Sequence, residues 1–148
     1  MMGNITIKKA DNSFVEDIAE LEKLCFYPPW SPAQIESEIN KESAIFLVCI
    51  CDGEFAGYVS GDNIAGELYI GNIAVKKEYQ GKGIGFSLMR EIIKQAKNQN
   101  CSLLTLEVRK SNLSAIKLYE KCSMSLVGER RNFYSHPTED ACIYTIYF

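Results

Sequence analysis

The sequence predicts an α/β protein with one mixed, mostly antiparallel twisted sheet of about seven strands and with helices on both faces. Strand-like and helical segments follow one another in the order β α α β β β α β α β β. Turn signals join strands directly in the first half, whereas helical crossovers separate strands in the second, which implies both antiparallel and parallel neighbours. The 148 residues, 47% of them hydrophobic, suit a single domain over 1–148 with a substantial core.

The chain begins with a predicted strand and an amphipathic helix. The segment NITIKKA alternates apolar and polar residues, as a half-buried strand does. Ser13 and Glu16 then have the spacing of a capping box, which predicts a helix N-terminus. The residues expected to share the apolar face of this helix are Ile18, Leu21, Leu24 and Cys25.

A second helix and a hairpin are predicted next. Ser31, followed by Pro32 at the first helical position, predicts a helix that runs to about Asn40. The apolar run AIFLVCIC ends at Asp52 and Gly53, a hairpin turn signal, and a return strand follows.

The second half alternates strands and helices before a final pair of strands. GELYIGNIAV is predicted to be a strand that leads into a glycine-rich loop. The helix after the loop has apolar residues at helical spacing, namely Leu88, Ile92, Ile93 and Ala96. The segments predicted to form a strand, a helix and two strands are SLLTLEV, SNLSAIKLYEKC, SLVGERRNFY and DACIYTIYF.

Charge and hydropathy argue against several function classes. The formal net charge of −3 disfavours nucleic-acid binding, because neutralising phosphates requires a basic face. No apolar run is long enough to span a membrane, and the polar N-terminus does not resemble a secretory leader. We therefore expect a cytoplasmic protein, a monomer or weak dimer, with no nucleic-acid or membrane partner.

The cysteines are expected to be reduced and mostly buried thiols. A zinc site is poorly supported, since the chain has one histidine, His136, and no CxxC pair. We therefore expect no metal. The six cysteines are Cys25, Cys49, Cys51, Cys101, Cys122 and Cys142.

The segment NIAVKKEYQGKGIGFSLM raises the question of what its glycines hold. It lacks the GK[ST] ending of a Walker loop, and Phe86 stands where a dinucleotide-binding turn needs its third glycine. The remaining pattern is Gln80-x-x-Gly83-x-Gly85 between a strand and a helix. Free backbone N–H groups at such a helix start bind anions, although the glycines equally suit a tight turn without a ligand.

The same segment resembles the acetyl-CoA-binding motif of the GNAT N-acetyltransferases. The likeness covers nearly the whole chain, because CFYPPWSPAQIESEI, LEVRKSNLSAIKLYEK and GERRNFYSHPTEDACIYTIYF each resemble segments of the RimI-like ribosomal-protein-alanine N-acetyltransferases. The resemblance implies the GNAT fold, acetyl-CoA as cosubstrate, and acetyl transfer to a protein N-terminus. The acceptor it implies is the N-terminal alanine of ribosomal protein S18, attacked directly in a ternary complex.

The resemblance also implies how acetyl-CoA is bound. In this family the loop holds the pyrophosphate, and the preceding strand carries a β-bulge and splays from its neighbour. The Val75 N–H would then stabilise the oxyanion, and Asn112 matches a residue that hydrogen-bonds the CoA arm, although it also suits a helix cap. The residues assigned to acetyl-CoA are Ile73, Ala74, Val75, Gly81, Lys82, Gly83, Ile84, Gly85, Phe86 and Asn112.

Glu107 and Tyr119 are the candidate catalytic residues. Glu107 ends the apolar run LLTLE, where a carboxylate is costly unless it is paired or functional. The alternative to a catalytic role is that Glu107 is solvated at the end of its strand and pairs with Arg109. Tyr119 lies on the apolar face of its helix, where core packing is the default role. By resemblance, the glutamate of LEVR matches the family's general base, and the tyrosine of KLYE matches the acid toward the CoA thiolate.

Aromatic residues in two loops are candidates for the acceptor groove. Tyr27 and Trp30 lie in the YPPW loop, and Phe133 and Tyr134 lie between the last two strands. Such residues line peptide sites, and they also plug core edges. Two other functions remain open: acetylation of a small-molecule amine, and a non-catalytic acetyl-CoA-binding module.

The chain departs from the family at one helix end. The segment LYEKCSMSL has Ser123 where the family has a turn glycine and Met124 where it has a packing aromatic. These changes leave Glu107 and Tyr119 in place, and we expect them to affect the local helix ending and the packing beside CoA.

Overall fold

Within residues 3–148, which the computed structural model describes, seven strands and four helices follow one another in the predicted order. Residues 1 and 2, which belong to the predicted domain 1–148, lie outside the described residues. The strands are β1 Ile5–Lys9, β2 Ala44–Cys51, β3 Glu54–Ile64, β4 Glu67–Val75, β5 Leu103–Arg109, β6 Ser125–Tyr134 and β7 Glu139–Tyr147. The helices are α1 Val15–Cys25, α2 Pro32–Asn40, α3 Ile84–Asn98 and α4 Leu113–Lys121.

The strands form one sheet in the order β1-β2-β3-β4-β5-β7-β6. β4 and β5 pair in parallel, and α3 is the crossover that parallel neighbours require. Every other neighbouring pair is antiparallel. The predicted mixed, mostly antiparallel sheet is therefore confirmed.

Helices cover the sheet on both faces, as predicted, and each face has its own apolar cluster. α3 and α4 pack on one face, and α1 and α2 pack on the other. The buried residues of α3 include all four that helical spacing predicted, namely Leu88, Ile92, Ile93 and Ala96. Burying these side chains on one stripe is what fixes α3 against β3, β4 and β5.

The two N-terminal helices begin differently from one another. α2 has a complete capping box, in which Ser31 Oγ accepts from Gln34 N and Gln34 Oε1 accepts from Ser31 N. The capping box predicted for α1 is wrong. Ser13 lies in a short 3-10 turn before α1 and donates its N–H to Asp11 Oδ1 at 2.9 Å, so it forms no box with Glu16.

The buried face of α1 also differs from the prediction. Ile18 and Leu21 are buried as expected, but Leu24 is 84% exposed and Cys25 is exposed. The buried face instead includes Glu22, whose side chain has no exposed surface. The spacing of apolar residues cannot predict that Glu22 is buried, because a glutamate is counted as a solvent-exposed residue.

Two turns require left-handed backbone conformations. Asp52 and Gly53 have φ of 51° and 82°, as a two-residue hairpin turn demands. Ser123 has φ of 68°, so this chain keeps the backbone of the glycine it replaces. The turn is closed by Met124 N, which donates to Tyr119 O at 3.0 Å, and the Met124 side chain is buried. The helix ending is therefore retained despite both substitutions.

The pairing of β4 changes halfway along the strand and opens the sheet. β4 pairs with β5 only over its first three residues, which end at Tyr69. On its other edge, Gly71 and Asn72 together oppose the single residue Ser60 of β3, which is a β-bulge. Asn72 N donates to Ser60 Oγ at 3.0 Å in place of a backbone acceptor. Both the bulge and the splay implied by the resemblance are confirmed.

The six cysteines form no disulfide, and all except Cys25 are buried. Burial raises the pKa of Cys49 to about 11, and burial also raises the pKa of Cys101 and Cys142. These buried groups are therefore neutral thiols at neutral pH, which makes them apolar packing groups rather than nucleophiles.

Candidate active site

A cleft of about 880 Å³ lies where β4 and β5 separate. The residues proposed from the sequence that line it are Ile73, Ala74, Val75, Gly81, Gly83, Ile84, Gly85, Phe86, Glu107, Asn112, Tyr119, Phe133 and Tyr134. Three others, Lys82, Tyr27 and Trp30, are not part of its wall.

Backbone groups of β4 face this cleft. Lys76 N donates to Ala56 O of β3 at 2.8 Å, and along an antiparallel strand successive residues turn their polar groups to opposite edges. Val75 and Ile73 therefore direct their N–H groups away from β3, toward the space that β5 has left. The Val75 carbonyl on this edge accepts from Gln80 Nε2 at 3.1 Å. The glutamine of the loop motif thus fixes the end of the splayed strand.

The glycine loop presents the N-terminus of α3 to the same cleft. Gly81 and Gly83 both have φ of 78°, and Gly83 is the N-cap without any side-chain cap. The first intrahelical bond runs from Ser87 N to Gly83 O at 3.0 Å, so the three preceding N–H groups have no helical acceptor. Together with the helix dipole they form an anion site. Lys82 does not line the cleft, and its Nζ lies 5.5 Å from the ring centroid of Tyr79, which does.

Asn112 lies at the start of α4 on the far wall of the cleft. Its Oδ1 accepts from Ala115 N at 3.2 Å, which makes it the helix cap. Its Nδ2 makes no hydrogen bond to another residue in 3–148, so this donor remains available to a ligand. The cap is confirmed, and contact with CoA stays a prediction.

Tyr119 is buried, with its hydroxyl at the cleft. Burial, followed by the nearby Tyr134, raises the pKa of Tyr119 well above its usual value, so the hydroxyl keeps its proton at neutral pH. The side chain is only 4% exposed, and its hydroxyl bonds to no other group in 3–148. No fully buried side-chain nitrogen or oxygen in that range lacks a partner, so the Tyr119 hydroxyl is accessible, and the side chain lines the cleft.

Glu107 reaches the cleft from the opposite face of the sheet. Its neighbours Leu106 and Val108 turn toward α3 and α4 and are buried there, and successive strand residues point to opposite faces. Its Oε1 lies 3.3 Å from Arg130 Nε, and the Glu107 side chain is 32% exposed. The alternative pairing with Arg109 is wrong. Glu107 and the buried Tyr119 therefore meet the opening in the sheet from its two faces.

Arg109 stabilises the loop between β6 and β7 through hydrogen bonds and an ion pair. It lies 3.2 Å from Glu139 Oε1, and it donates to Ser135 O at 2.8 Å and to Pro137 O at 2.9 Å. Its guanidinium also lies 4.6 Å from the ring centroid of Tyr134. Sequence reasoning gave Arg109 no such role, because both carbonyls lie in a loop that is distant along the chain.

Two of the four predicted acceptor-site aromatics line the cleft. Phe133 and Tyr134 meet edge to face, with ring centroids 5.0 Å apart. Burial, followed by the charge of Glu107, raises the pKa of Tyr134 to about 12. Its hydroxyl is therefore neutral at neutral pH and can donate or accept a hydrogen bond near Glu107.

The other two aromatics pack beside the cleft. The ring centroids of Tyr27 and His136 lie 4.1 Å apart, which joins the loop after α1 to the β6–β7 loop. The Trp30 indole packs on the bulge, because an ideal Cβ at Gly71 would lie 3.1 Å from Trp30 Cη2. Both residues therefore lie beside the cleft without forming its wall, and their contact with an acceptor stays a prediction.

The described residues show no helix that could cross a membrane, since none is both long and apolar enough. The same residues contain no cluster of three His, Cys, Asp or Glu side chains placed to hold a metal ion.

Comparison with known proteins agrees with this geometry. The sequence profile of the acetyltransferase (GNAT) family matches residues 15–124. A Bacillus subtilis protein, provisionally named a [ribosomal protein bS18]-alanine N-acetyltransferase, is 35% identical over 130 residues, covering 87% of this chain and 86% of that protein. The [ribosomal protein bS18]-alanine N-acetyltransferase of Haemophilus influenzae is 33% identical over 135 residues, covering 89% of this chain and 91% of that protein.

A solved structure is similar over nearly the same length. The crystal structure of the ribosomal-protein-S18-alanine N-acetyltransferase from Escherichia coli superposes with a TM-score of 0.89 at 28% identity, covering 97% of this chain and 94% of that one. The profile match, the two relatives and the splayed sheet beside a free helix N-terminus all agree. The chain therefore belongs to the GNAT family of acetyltransferases and is an N-acetyltransferase.

Proposed function

We propose that this enzyme transfers the acetyl group of acetyl-CoA to the α-amino group of a protein N-terminus, namely the N-terminal alanine of ribosomal protein S18, in the cytoplasm. The observation that carries the proposal is the opening between β4 and β5. On one face of the sheet this opening meets the free N-terminus of α3 and the Tyr119 hydroxyl, and on the other it meets the Glu107 carboxylate. Two substrates can thus approach one point from opposite faces.

The acetyl-CoA side fits the residues present. The three uncapped N–H groups at the start of α3 would hold the pyrophosphate, since a helix N-terminus without a side-chain cap favours an anion. The pantetheine arm would run along the unpaired edge of β4, where Val75 offers its N–H. Asn112 offers its amide from α4.

For this reaction the protein has to position the two substrates and to assist two proton transfers. A free α-amino group has a pKa of about 7.7–8.0, so a positioned carboxylate is sufficient to take its proton. We assign that role to Glu107. The neutral nitrogen attacks the thioester carbonyl carbon and forms the new carbon–nitrogen bond, while the Val75 N–H donates to the carbonyl oxygen as it gains negative charge. The carbon–sulfur bond then breaks, and Tyr119 gives its proton to the departing sulfur. The nitrogen loses its second proton to solvent as the amide forms, and solvent returns a proton to Tyr119.

The acceptor assignment rests on the relatives and on the shape of the acceptor side. The Haemophilus and Escherichia relatives are named for alanine acetylation of the S18 protein. In this chain the acceptor side is bordered by the β6–β7 loop, to which Arg109 donates hydrogen bonds, and by the exposed Phe133, which lies at the end of β6 rather than between the strands as expected. An open aromatic wall of this kind suits a polypeptide, whereas a small amine would be better held in an enclosed site.

Peptide acetylation and proteomics together test this function. We expect a peptide that begins Ala-Arg to be acetylated on its α-amine, and polyamines or aminoglycosides to be poor acceptors. We also expect S18 from a strain lacking this protein to have a free N-terminus by mass spectrometry. A fully acetylated S18 in that strain would contradict the acceptor, and acetyl-CoA binding without turnover on any amine would show a non-catalytic module.

Tyr119→Phe tests the proposed acid. The ring stays in the core and only the hydroxyl is lost, so we expect turnover to fall about 10²-fold with acetyl-CoA affinity little changed. The defect should persist as the pH rises, because the missing proton is the one delivered to sulfur. The measurement is a pH–rate profile with the Ala-Arg peptide. Tyr144→Phe, on β7 with its ring centroid 6.3 Å from that of Tyr119, is the matched control and should keep near wild-type turnover.

A further inference from the structure

Glu22 is the one charged side chain in residues 3–148 that is fully buried. Burying a carboxylate costs several kcal/mol unless donors surround it, so a residue of this kind needs a reason. Glu22 lies on α1, across the sheet from α3, and the proposed chemistry does not use it.

Three donors from three different parts of the fold meet this carboxylate. Trp30 N, in the loop between α1 and α2, donates to Oε1 at 2.8 Å. Asn72 Nδ2, in the β4 bulge, donates to Oε2 at 2.7 Å. The Tyr58 hydroxyl of β3 donates to the same oxygen, and burial raises the pKa of Tyr58 well above its usual value, so that it keeps this proton.

The same elements also touch directly. The bulge residue Gly71 has no side chain, and the Trp30 indole and Ser60 hydroxyl occupy the space where one would be, 3.1 Å and 2.9 Å from an ideal Cβ. The end of α1 continues into the cleft wall through Cys25 and Phe26. The loop after α1 is thus held against the bulge by packing and by hydrogen bonds to Glu22.

We propose that Glu22 is a positioning residue that ties the α1–α2 loop to the β4 bulge and so sets the shape of the acceptor side of the cleft. The expected effect on peptide KM rests on the proposed function, whereas the contact between the loop and the bulge does not. The acetyl-CoA side is built by α3, the glycine loop, α4 and the last residues of β4. Glu22 bonds to β4 only at Asn72 in the bulge, and it bonds to none of the other elements. Loosening the tie should therefore affect the acceptor and leave acetyl-CoA in place.

Glu22→Gln is the test, because it keeps the shape and replaces one acceptor oxygen by a donor NH₂. Whichever way the amide turns, at least one donor then faces another donor: Trp30 N if the NH₂ takes the place of Oε1, or Asn72 Nδ2 and the Tyr58 hydroxyl if it takes the place of Oε2. We expect the KM for the Ala-Arg peptide to rise about tenfold, as for loss of one charge-assisted hydrogen bond. The Kd for acetyl-CoA, measured by calorimetry, should stay near the wild-type value.

Trp30 gives a second readout that does not depend on activity. It is the single tryptophan of the chain, so the intrinsic emission reports the position of this loop. We expect Glu22→Gln to shift the emission to longer wavelength and to increase quenching by acrylamide. Tyr58→Phe, which removes one donor and leaves Glu22 in place, should give a smaller change of the same kind, and it serves if Glu22→Gln does not fold.

Ile39→Ala is the matched control. Ile39 is buried on α2 in the same apolar cluster but bonds to neither the loop nor the bulge, so it should lower stability with Trp30 emission and peptide KM unchanged. If Glu22→Gln lowered stability but left Trp30 emission and peptide KM unchanged, as expected for this control, the carboxylate would be purely structural and the proposal would be wrong. A tenfold loss of acetyl-CoA affinity, equal to the expected rise in peptide KM, would also overturn it. If the wild type acetylates no peptide, the proposed function fails, while the emission comparison still decides whether the tie exists.

Discussion

Glu107→Gln is expected to lower turnover about 10²–10⁴-fold while acetyl-CoA still binds. The amide keeps the size of the side chain and cannot take a proton from the acceptor. Glu107 faces the opening from the side opposite to Tyr119 and is partly exposed, so a conservative change there should cost little stability. The loss is therefore assigned to chemistry rather than to unfolding.

The pH dependence separates this role from a structural one. The α-amino group has a pKa of about 7.7–8.0, so more of it is already neutral before it binds as the pH rises through that range. The defect of Glu107→Gln should shrink over the same interval, in contrast to that of Tyr119→Phe. The measurement is a pH–rate profile for both variants with a peptide that begins Ala-Arg.

Glu129→Gln is the matched control for Glu107→Gln. It removes a carboxylate on β6, two strands away from Glu107, where Glu129 pairs with Lys110 at 3.1 Å. Glu129 lies outside the cleft wall. Near wild-type turnover is expected for it across the pH range. If Glu107→Gln retained the same activity as Glu129→Gln, Glu107 would be only a strand carboxylate paired with Arg130, and the base would lie elsewhere.

Gly83→Val is expected to raise the Kd for acetyl-CoA about 100-fold in a folded protein. Gly83 lies on the cleft wall, and an ideal Cβ there meets no protein atom within 4 Å. The added side chain would therefore occupy space that the pyrophosphate needs. A β-branched residue at φ of 78° also strains the loop, which moves the N–H groups at the start of α3.

Gly66→Val is the control for that strain. Gly66 has φ of 82° and also has no atom within 4 Å of an ideal Cβ, but it lies in the turn between β3 and β4. Both variants should lose comparable stability in thermal unfolding, and only Gly83→Val should lose acetyl-CoA affinity by calorimetry. Equal affinities for the two would refute the anion site. Gly85→Val is less clean, because an ideal Cβ there lies 3.2 Å from Leu118 Cδ2 and would displace α4.

Local signals were enough to predict the elements and the glycine loop. Apolar spacing places the buried residues of α3, Ser31 and Pro32 mark the start of α2, and Asp52-Gly53 marks the hairpin. These features are set by residues within a few positions of one another, so the chain order alone reveals them. The resemblance added the bulge and the splay, which the strand pattern itself does not show.

The order of the elements, the mixed sheet and the loop before α3 follow from the amino-acid sequence. Which side chains share the cleft, and what each one contacts, follows only from the folded chain. Glu107 pairs with Arg130, which reaches it from β6 on the far side of β7. Arg109 lies only two residues away on the same face of β5, but its guanidinium is held by Glu139 and by the β6–β7 loop. Glu22 could be buried only because Trp30, Tyr58 and Asn72, at 8, 36 and 50 positions from it, converge on its carboxylate. Periodicity cannot detect such donors, since it compares a residue only with its neighbours along the chain.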